Sequence, residues 1–580
     1  MGWIRPLHGV VLRLGGGIVA GLVALAPSTI ASGSGSGSLW MSSVPVDNMV
    51  VSSPTSGGGY PENPPVAGEC VAPTLGVTNF NANHSESELA VMPQSEQIVG
   101  SSKFFFDKFS TGYNFYLGSY NILGSQHSNN IIQGYDCSTI PTGFTESMPP
   151  SWTNTTDPNV AFDSQGRVYQ TMLPFNAFWT NLHPDGEITL SFSDDLGAHW
   201  LMGNGGNPLE QSPNASSFQF GFVEDKQWIA VNHIKGNRFQ DHVYSTWDVI
   251  NGTTVKLRMA VSRDRGQTFS PAQTIASASV DQMRNQFSQI GIGPDGTVYV
   301  SFANFANKST ASDIFVMKST DDGNTFSTPV MVASDNTIGV GSIRDPNTTF
   351  RDGINYAFAV SPDLPGHVYV AYSNFHPAAN GMQYDVYFTQ STDGGMTWSG
   401  ASKVNDDRNQ GWAVDHFQPA VAAGNGGVVA VAFYDRRAVC PSDASIITQD
   451  INRKNFCIDV SVQPYKDDGS TGGAVAVGAN IRASKYTWDP QQPGLLVNAD
   501  GSTTDLQTLG GLGQMACASH NDPCTLSFIG DYFGLAISDG NIYTLSVSTH
   551  YPSNVKANDG STLYYQQQVL GTISRANAGI

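Results

Sequence analysis

The ten residues STDGGMTWSG, numbered 391 to 400, follow a strand-like run in which polar and apolar side chains alternate. Similar stretches begin at three other serines, as SDDLGAHW from Ser193, SRDRGQTF from Ser262 and STDDGNTF from Ser319, with a degenerate copy, YKDDGSTG, from Tyr465. In such a turn an aspartate accepts hydrogen bonds from backbone amides, and a glycine supplies the positive φ that the turn needs. Each copy therefore predicts a hairpin turn between two β-strands.

A second recurring element predicts the inner strands of a repeated sheet. It reads DPNVAFDSQGRVYQ from Asp157, QIGIGPDGTVYVSF from Gln289, AFAVSPDLPGHVYVAY from Ala357 and QPAVAAGNGGVVAVAFYDRR from Gln418. Segments from Glu88, Lys226 and Asp531 bring the candidate inner strands to seven. The turns recur every 57 to 74 residues, which suits one four-stranded antiparallel blade per repeat. We therefore expect an all-β propeller of seven blades, with six blades as the alternative.

The recurring pattern Ser-x-Asp-x-Gly-x-Thr-Trp/Phe resembles the Asp-box (BNR) repeat of the sialidase-like β-propellers. The resemblance covers about residues 76 to 580 and implies a structural role for the turn aspartates, Asp195, Asp264, Asp321 and Asp393. In a four-stranded blade these turns share one face of the disc, so we expect chemistry on the opposite face. The Arg-Ile-Pro type motif that sialidases carry near the first blade is absent, and SESELAVMP stands in its place.

Charge and composition restrict the partners. Only 13% of the 580 residues are charged, and the formal net charge is -20. Nucleic acids and anionic membranes are bound through clustered Lys and Arg, which this chain lacks. We expect no nucleic-acid partner and no membrane contact beyond an N-terminal anchor. A glycan or cell-surface polymer is the expected partner of a monomer.

The first 75 residues have the composition of a targeting segment and a linker. An uncharged run from Leu14 to Ala26 follows Arg5 and Arg13, and its length suits a signal-peptide core better than a membrane span. Residues 1–31 are predicted to be a signal peptide or an uncleaved anchor, which indicates a secreted or extracytoplasmic protein. Residues 32–75 are rich in Gly, Ser and Pro and are predicted to be a linker outside the fold.

Six cysteines in a chain with an export signal predict disulfide bonds. Proximity favours Cys440 with Cys457 and Cys517 with Cys524, which leaves Cys70 with Cys137. Six cysteines allow 15 pairings, so this one is a hypothesis. No Cys-x-x-Cys or His-x-x-x-His spacing occurs, so we expect no metal site and no cofactor, with a structural calcium ion left open.

Candidate functional residues precede the inner strands or follow the second strands, where a propeller gathers them around its axis. Candidate catalytic residues are Asp157, Asp225, Asp415, Asp531 and Tyr532. Candidate substrate-binding residues are Arg284, Arg344, Arg351, Arg436 and Trp412. Arginines can hold a sugar carboxylate through two parallel hydrogen bonds, and paired carboxylates can divide acid and base roles. We expect Arg436 to anchor the anion, assisted by Asp415 and Asp531.

Three functions fit these residues. The family resemblance implies a sialidase, with a tyrosine nucleophile and an arginine clamp. A different glycan-directed hydrolase or polysaccharide lyase could use the same face, including an exo-acting hydrolase of acidic sugars. The third alternative is a non-catalytic extracellular propeller that binds a surface polysaccharide or a protein through exposed aromatic residues such as Trp412, Trp488 and Trp152.

Overall fold

The computed structural model describes most of Leu39–Ile580, which is one compact unit. The described residues are 39–52, 84–106, 114–124, 126–131, 154–175, 186–211, 222–251, 254–275, 285–304, 312–335, 350–351, 354–378, 381–441, 451–490, 495–497, 503–505, 516–517, 527–556, 562–564 and 566–580. Among them, no helical segment has the length and hydrophobicity that a membrane crossing requires.

The described residues form seven antiparallel blades, each built on four strands, which confirms the predicted fold class. Blade 1 contains His84–Val91, Gln97–Phe106, Asn114–Leu123 and Gln126–Ile131. Blade 2 contains Asn154–Phe162, Val168–Phe175, Glu187–Ser193, Leu201–Met202 and Glu210–Gln211. Blade 3 contains Phe222–Val231, Val243–Asn251, Thr254–Ser262 and Gln273–Thr274. Blade 4 contains Asn285–Ile292, Val298–Asn304, Ser312–Ser319 and Val330–Asp335. Blade 5 contains Tyr356–Val360, Val368–Ala378, Gly381–Ser391 and Ser402–Lys403. Blade 6 contains His416–Gly424, Val428–Asp435, Asp459–Asp467, Ala474–Ala476 and Ile481–Arg482. Blade 7 contains Gly534–Ile537, Asn541–Ser548, Gln567–Ser574 and Asp47–Val50.

Short elements complete the described structure. Phe350–Arg351 runs parallel to Ser527–Phe528, which also pairs with Ala516–Cys517. Two small hairpins pair Leu495–Val497 with Thr503–Asp505 and Pro552–Lys556 with Thr562–Tyr564. The helical elements are one turn of 3-10 helix, Asn204–Gly206, and the helix Arg575–Ala578.

In blades 1 to 6 the first strand in chain order is the innermost. In blade 7 the innermost strand is Gly534–Ile537, because Asp47–Val50 forms the outer edge. These seven strands contact one another in circular order, from blade 1 through blade 7 and back to blade 1. All seven fall within or directly beside the segments predicted from the sequence. We call the end where the inner strands begin the loop face. The opposite end carries the turns with the Ser-x-Asp-x-Gly pattern, which we call Asp-box turns after the repeat that they resemble, and we call it the box face.

The ring is closed by the N-terminal segment. Asp47–Val50 pairs antiparallel with Gln567–Ser574 and is the outer strand of blade 7. Val51 is fully buried in the cluster that joins blades 7 and 1, and Trp40 donates from Nε1 to Ser461 Oγ at 2.8 Å. The prediction that residues 32–75 are a linker outside the fold is therefore wrong for this part of the segment. Four strand residues between Gly/Ser-rich stretches are too few to give a periodic pattern.

Apolar side chains from neighbouring blades form the core. Successive clusters join blades 2 and 3, 3 and 4, 4 and 5, 5 and 6, and 6 and 7. The aromatic residue that ends an Asp-box turn packs into the cluster with the preceding blade, as Phe269, Phe326 and Trp398 show. Burial of apolar area between blades thus holds the disc together.

The Asp-box turns share one hydrogen-bonding pattern. Asp393 Oδ1 accepts from Thr397 N at 2.9 Å, Thr397 Oγ1 donates to Asp393 Oδ2 at 2.6 Å, and Ser391 Oγ accepts from Gly395 N at 2.9 Å. Equivalent amide bonds to the aspartate form at Asp195, Asp264 and Asp321. Asp393 follows a third strand and Arg436 follows a second strand, so these two residues lie at opposite ends of their blades. The aspartates therefore satisfy amides of their own turns, on the box face.

The predicted Cys440–Cys457 disulfide is present. The other proposed pairs involve Cys70, Cys137 and Cys524, which lie outside the described residues, so those pairings stay predictions. Trp488 is buried in the core of blades 6 and 7, so its proposed role as an exposed binding aromatic is wrong. Trp152 lies outside the described residues.

Candidate functional site at the propeller axis

A repeated backbone irregularity marks the loop-face end of the inner strands. In five blades the pairing of the first and second strands shifts register near the start of the inner strand. Each shift contains a non-glycine residue with positive φ: Glu86 (52°), Asp157 (57°), Lys226 (51°), Phe287 (61°) and Gln418 (46°). A bulge re-aims the side chain it carries, and a non-glycine residue held at positive φ costs roughly 1 kcal/mol or more. The strain is thus repeated around one ring of positions.

Charged side chains from four blades meet at this level of the axis. Lys226 Nζ lies 2.9 Å from Asp157 Oδ2, 2.5 Å from Asp531 Oδ2 and 3.5 Å from Glu86 Oε1. Lys103 Nζ lies 2.7 Å from Glu86 Oε2. We call these five residues the axial cluster. Its side chains are at most 7% exposed, so three carboxylates and two lysines share a site with little water.

Two carboxyl groups of the axial cluster have pKa values that are shifted in opposite directions. Burial, followed by the charge of Asp157, raises the pKa of Glu86 to about 7 against the opposing charges of the two lysines. Burial also acts on Asp157, but the charges of Lys226 and then Lys103 outweigh it and hold the pKa of Asp157 below its usual range. Thr156 Oγ1 donates to Asp157 Oδ1 at 2.7 Å and stabilises the carboxylate. Near neutral pH one group can therefore carry a proton while its neighbour is ionised.

Tyr532 lies beside the axial cluster as a protonated phenol. Its hydroxyl donates to the carbonyl oxygen of Pro158 at 3.1 Å, and its ring meets Trp228 edge to face. Burial, with the charges of Glu86 and Asp157 after it, raises the pKa of Tyr532 well above the usual value. A phenol with a raised pKa is a hydrogen-bond donor rather than a ready nucleophile.

Asp225 stands next to the axial cluster in sequence but faces another carboxylate. It lies opposite Asp248 in the strand register of blade 3, and its Oδ1 accepts from Lys226 N at 3.0 Å. Burial raises the pKa of Asp248 well above its usual range. The catalytic role expected for Asp225 stays a prediction.

Arg436 and Asp415 lie together in blade 6. Arg436 N donates to the carbonyl oxygen of Asp415 at 3.1 Å, and the Arg436 guanidinium lies 5.1 Å from the ring centre of Phe417 and 5.5 Å from that of Phe350. The Arg436 side chain is fully buried. Asp531, its expected assistant, is paired with Lys226 instead. The role of Arg436 as an anion anchor stays a prediction.

Asp415 is hydrogen-bonded on both carboxylate oxygens. Asn455 Nδ2 donates to Oδ2 at 2.6 Å, and Tyr384 N donates to Oδ1 at 3.1 Å. Burial raises the pKa of Asp415, although the charge of Arg436 opposes the shift. These bonds hold the connection into blade 6 in place.

The remaining candidates lie outside this cluster or outside the described residues. Trp412 is half-buried, with Lys454 Nζ 4.5 Å from its ring centre. Arg284 and Arg344 fall in undescribed segments, and only the backbone of Arg351 is described, in the strand Phe350–Arg351. The arginine clamp proposed from the sequence therefore stays a prediction.

A cavity of about 460 Å³ occupies the other end of the axis, towards the box face. Small and apolar residues from the ends of the inner strands line it, among them Ala90, Ala161, Ala230, Ala422 and Ala536. Acid and base groups do not converge in this lining as they do in the axial cluster. Its size alone therefore does not make it the site of chemistry.

Several buried charged groups were not predicted from the sequence. Lys226 and Lys103 were not singled out as functional, because a lone lysine in a strand carries no motif. Glu187 was not predicted either, and its pKa is raised to about 8 by burial and then by the charge of Glu224. The signal available for Lys226 was its place in a run of four charged or polar residues, from Glu224 to Gln227, inside a strand whose two ends are apolar.

Comparison with known proteins adds distant structural likenesses. No family model matches the chain, and no curated protein matches it. The chain is similar to a protein of unknown function from Dyadobacter fermentans, with 13% identity and a TM-score of 0.39 over 62% of this chain and 92% of that one. It is also similar to a Hadza microbial sialidase, with 14% identity and a TM-score of 0.36 over 60% and 63% of the two chains. The GH93 α-L-arabinofuranosidase of Fusarium graminearum is 11% identical, with a TM-score of 0.35 over 71% and 91%. At these values no functional residue is transferred.

Proposed function

We propose that the chain is a glycoside hydrolase whose reaction takes place at the loop-face end of the axis. The observation that carries the proposal is the separation of the Glu86 and Asp157 pKa values within the axial cluster. Hydrolysis of a glycosidic bond uses two carboxyl groups, one protonated to assist the leaving group and one ionised. Glu86 is the proton donor in this proposal, and Asp157 is the carboxylate that acts as base or nucleophile.

The other members of the axial cluster support these roles. Lys226 keeps Asp157 ionised through its charge, and the 2.9 Å contact fixes the orientation of that carboxylate. Glu86, Asp157 and Lys226 lie in the inner strands of three blades, and Asp531 lies just before the inner strand of blade 7. The fold thus holds these groups in place, so little reorganisation is needed during the reaction. Tyr532, as a protonated donor, can bond a substrate hydroxyl or the glycosidic oxygen.

The preference for an acidic sugar is the finer part of the proposal and depends on Arg436. A planar guanidinium can bind a uronate or sialate carboxylate through two hydrogen bonds, which a lysine cannot do. The Arg436 guanidinium is fully buried beside the rings of Phe417 and Phe350, so the proposal requires a rearrangement that opens it to a ligand. Arg436→Lys should lower turnover of acidic glycans more than turnover of neutral ones. Equal turnover ratios in the variant and the wild type would remove Arg436 from the proposal.

A non-catalytic extracellular binding propeller is the second candidate. The observation in its favour is the near-complete burial of the axial cluster, which also suits a purely structural ion-pair network. The Cys440–Cys457 disulfide supports an extracytoplasmic location for either candidate.

A glycan panel tests the proposal. The full chain, which retains the closing strand Asp47–Val50, is incubated with neutral and acidic glycosides and polysaccharides, and released sugar is measured. Ultraviolet-absorbing unsaturated products would instead identify a lyase. Asp157→Asn should lower hydrolysis by at least about 100-fold, the usual scale for a catalytic acid or base. Asp393→Asn, on the box face, is the matched control and should retain activity.

If every glycan is left uncleaved, with neither sugar nor unsaturated product released, and binding is retained, the binding propeller is favoured. Hydrolysis that is unchanged in Asp157→Asn would keep a hydrolase but place its site elsewhere.

A further inference from the structure

A buried histidine stands among three aspartates at the junction of blades 5 and 6. His416 begins the inner strand of blade 6 and is fully buried. Its Nε2 lies 3.4 Å from Asp435 Oδ1 and 3.6 Å from Asp407 Oδ1, and its Nδ1 lies 3.7 Å from Asp385 Oδ1. Ligand atoms of Asp385, Asp407 and His416 all lie within 4.8 Å of one another. The three residues come from different elements that the fold brings together.

The hydrogen bonds of His416 leave one ring nitrogen unsatisfied. Nδ1 bonds to the carbonyl oxygen of Tyr384 at 3.3 Å, where it acts as the donor. Nε2 has no hydrogen-bond partner among the described residues. In the neutral ring this nitrogen is a lone pair close to carboxylate oxygens, an arrangement that a bound cation would stabilise. Metal-ligating histidines show the same arrangement, with the second ring nitrogen bonded to a carbonyl or carboxylate.

The charges around His416 are not balanced within the described residues. Two permanent cations contact these aspartates: Lys403 Nζ lies 3.1 Å from Asp385 Oδ2, and Arg437 bridges Asp435 and Asp406 at 2.7 and 2.8 Å. Asp406 is tied to this group through Arg437, so the carboxylates of Asp385, Asp406, Asp407 and Asp435 less these two cations leave two negative charges when the histidines are neutral. A divalent cation would neutralise both. His376, which lies 2.7 Å from Asp385 Oδ2, is half-exposed at the edge of the cluster.

Amide groups hold two of the carboxylates in place. Asn405 Nδ2 donates to Asp385 Oδ1 at 2.9 Å and to Asp407 Oδ1 at 2.5 Å. Its Oδ1 accepts from Val386 N at 3.0 Å, which fixes which way the amide faces. Gln383 Nε2 donates to Asp385 Oδ1 at 2.7 Å. Such outer contacts orient ligands in known metal sites.

We propose that Asp385, Asp407 and His416 form a zinc site that joins blades 5 and 6. An imidazole among carboxylates suits Zn²⁺, whereas Ca²⁺ takes oxygen ligands only. Ligands placed about 2.0 Å from a tetrahedral zinc ion are about 3.3 Å apart, close to the Nε2 to Asp407 separation. The ion would connect the third strand of blade 5, the blade connection and the first strand of blade 6. This site does not depend on the proposed hydrolase.

Metal analysis of the purified full chain tests the proposal. The protein is incubated with ZnCl₂, dialysed against metal-free buffer and analysed by mass spectrometry. We expect about one equivalent of zinc in the wild type and a loss of that zinc in His416→Gln and Asp407→Asn. His242→Gln is the matched control, because His242 pairs with Asp322 at 2.8 Å on the box face, away from this cluster. It should retain the zinc.

Second readouts keep the test decisive. Added ZnCl₂ should raise the melting temperature of the wild type but not that of Asp407→Asn, since ligand binding stabilises only the folded state. Co²⁺ in place of zinc should give visible absorption that Asp407→Asn lacks. If His416→Gln does not fold, Asp407→Asn, whose side chain is at the edge of the core, carries the comparison. Equal zinc content in the wild type and Asp407→Asn, or tighter binding of Ca²⁺ than of Zn²⁺, would overturn the zinc assignment.

Discussion

Lys226 provides the sharpest test of the axial cluster, because one substitution removes its central cation. Lys226→Met keeps the length of the side chain but leaves Glu86, Asp157 and Asp531 with Lys103 as their remaining cation in the cluster. Removing one partner from a buried ion pair costs about 3–5 kcal/mol, since it leaves an uncompensated buried charge. We expect a loss of this size in the free energy of unfolding at pH 8, measured by urea denaturation.

The loss should depend on pH in a defined direction. In the wild type the lowered pKa of Asp157 contributes stability above the ordinary aspartate pKa of about 4, and this stability is lost as the pH falls below that value. The raised pKa of Glu86 acts in the opposite sense, so stability falls as the pH rises from 4.5 to about 7. Without Lys226 the carboxyl groups bind protons more readily, so the variant should be less destabilised at pH 5 than at pH 8.

Lys235→Met is the control for this comparison. Lys235 is exposed, and its Nζ bonds to Gln94 Oε1 at 2.9 Å, so its loss should change stability by no more than about 0.5 kcal/mol. A loss below about 1 kcal/mol in Lys226→Met, or a loss that is the same at pH 5 and pH 8, would refute the reasoning.

Three further variants test the scaffold. Asp393→Ala should lower the free energy of unfolding by about 1 kcal/mol without altering any glycan specificity, because the bonds it removes stay within one turn; altered specificity at unchanged stability would contradict this. Replacing Cys440 and Cys457 by Ser should lower the free energy of unfolding by about 3 kcal/mol, the scale for a closed loop of 17 residues. The measurement is urea unfolding of the variant and of the oxidised wild type, and equal stability would count against a stabilising role for the disulfide. Val51→Asp should cost more than about 2 kcal/mol, because it buries a charge where blades 7 and 1 meet, and wild-type melting behaviour would disprove closure by the N-terminal segment.

Local patterns were enough to predict the architecture. Each Asp-box turn carries its own signal, since the serine, aspartate and glycine are needed for bonds within the turn itself. The inner strands also carry a local signal in their alternating or continuous apolar residues. The closing strand Asp47–Val50 could not be found in this way, because its partner lies more than 500 residues away in sequence.

The candidate site was predicted only in part, because its chemistry comes from contacts between distant residues. Asp157 and Asp531 were singled out by their positions before or within the inner strands, and the fold brings both to Lys226. The bulges that direct Glu86 and Lys226 into the axis have no sequence motif, since positive φ at a charged residue is set by the surrounding structure. The contact between Arg436 and Phe350 likewise depends on a short strand between two blades.

The dependence of hydrolysis on the leaving group tests the central claim most directly. For the sugar identified by the glycan panel, kcat/KM is measured on a natural glycoside and on an aryl glycoside with an activated leaving group, for the wild type and Glu86→Gln. A proton donor is needed only when the leaving group is poor. We predict that Glu86→Gln loses at least about 100-fold on the natural glycoside but retains most activity on the activated one. In the wild type, deprotonation of Glu86 should lower activity above about pH 7. This fall should be absent in Glu86→Gln. Equal losses on both substrates, or an unchanged pH profile, would contradict the account.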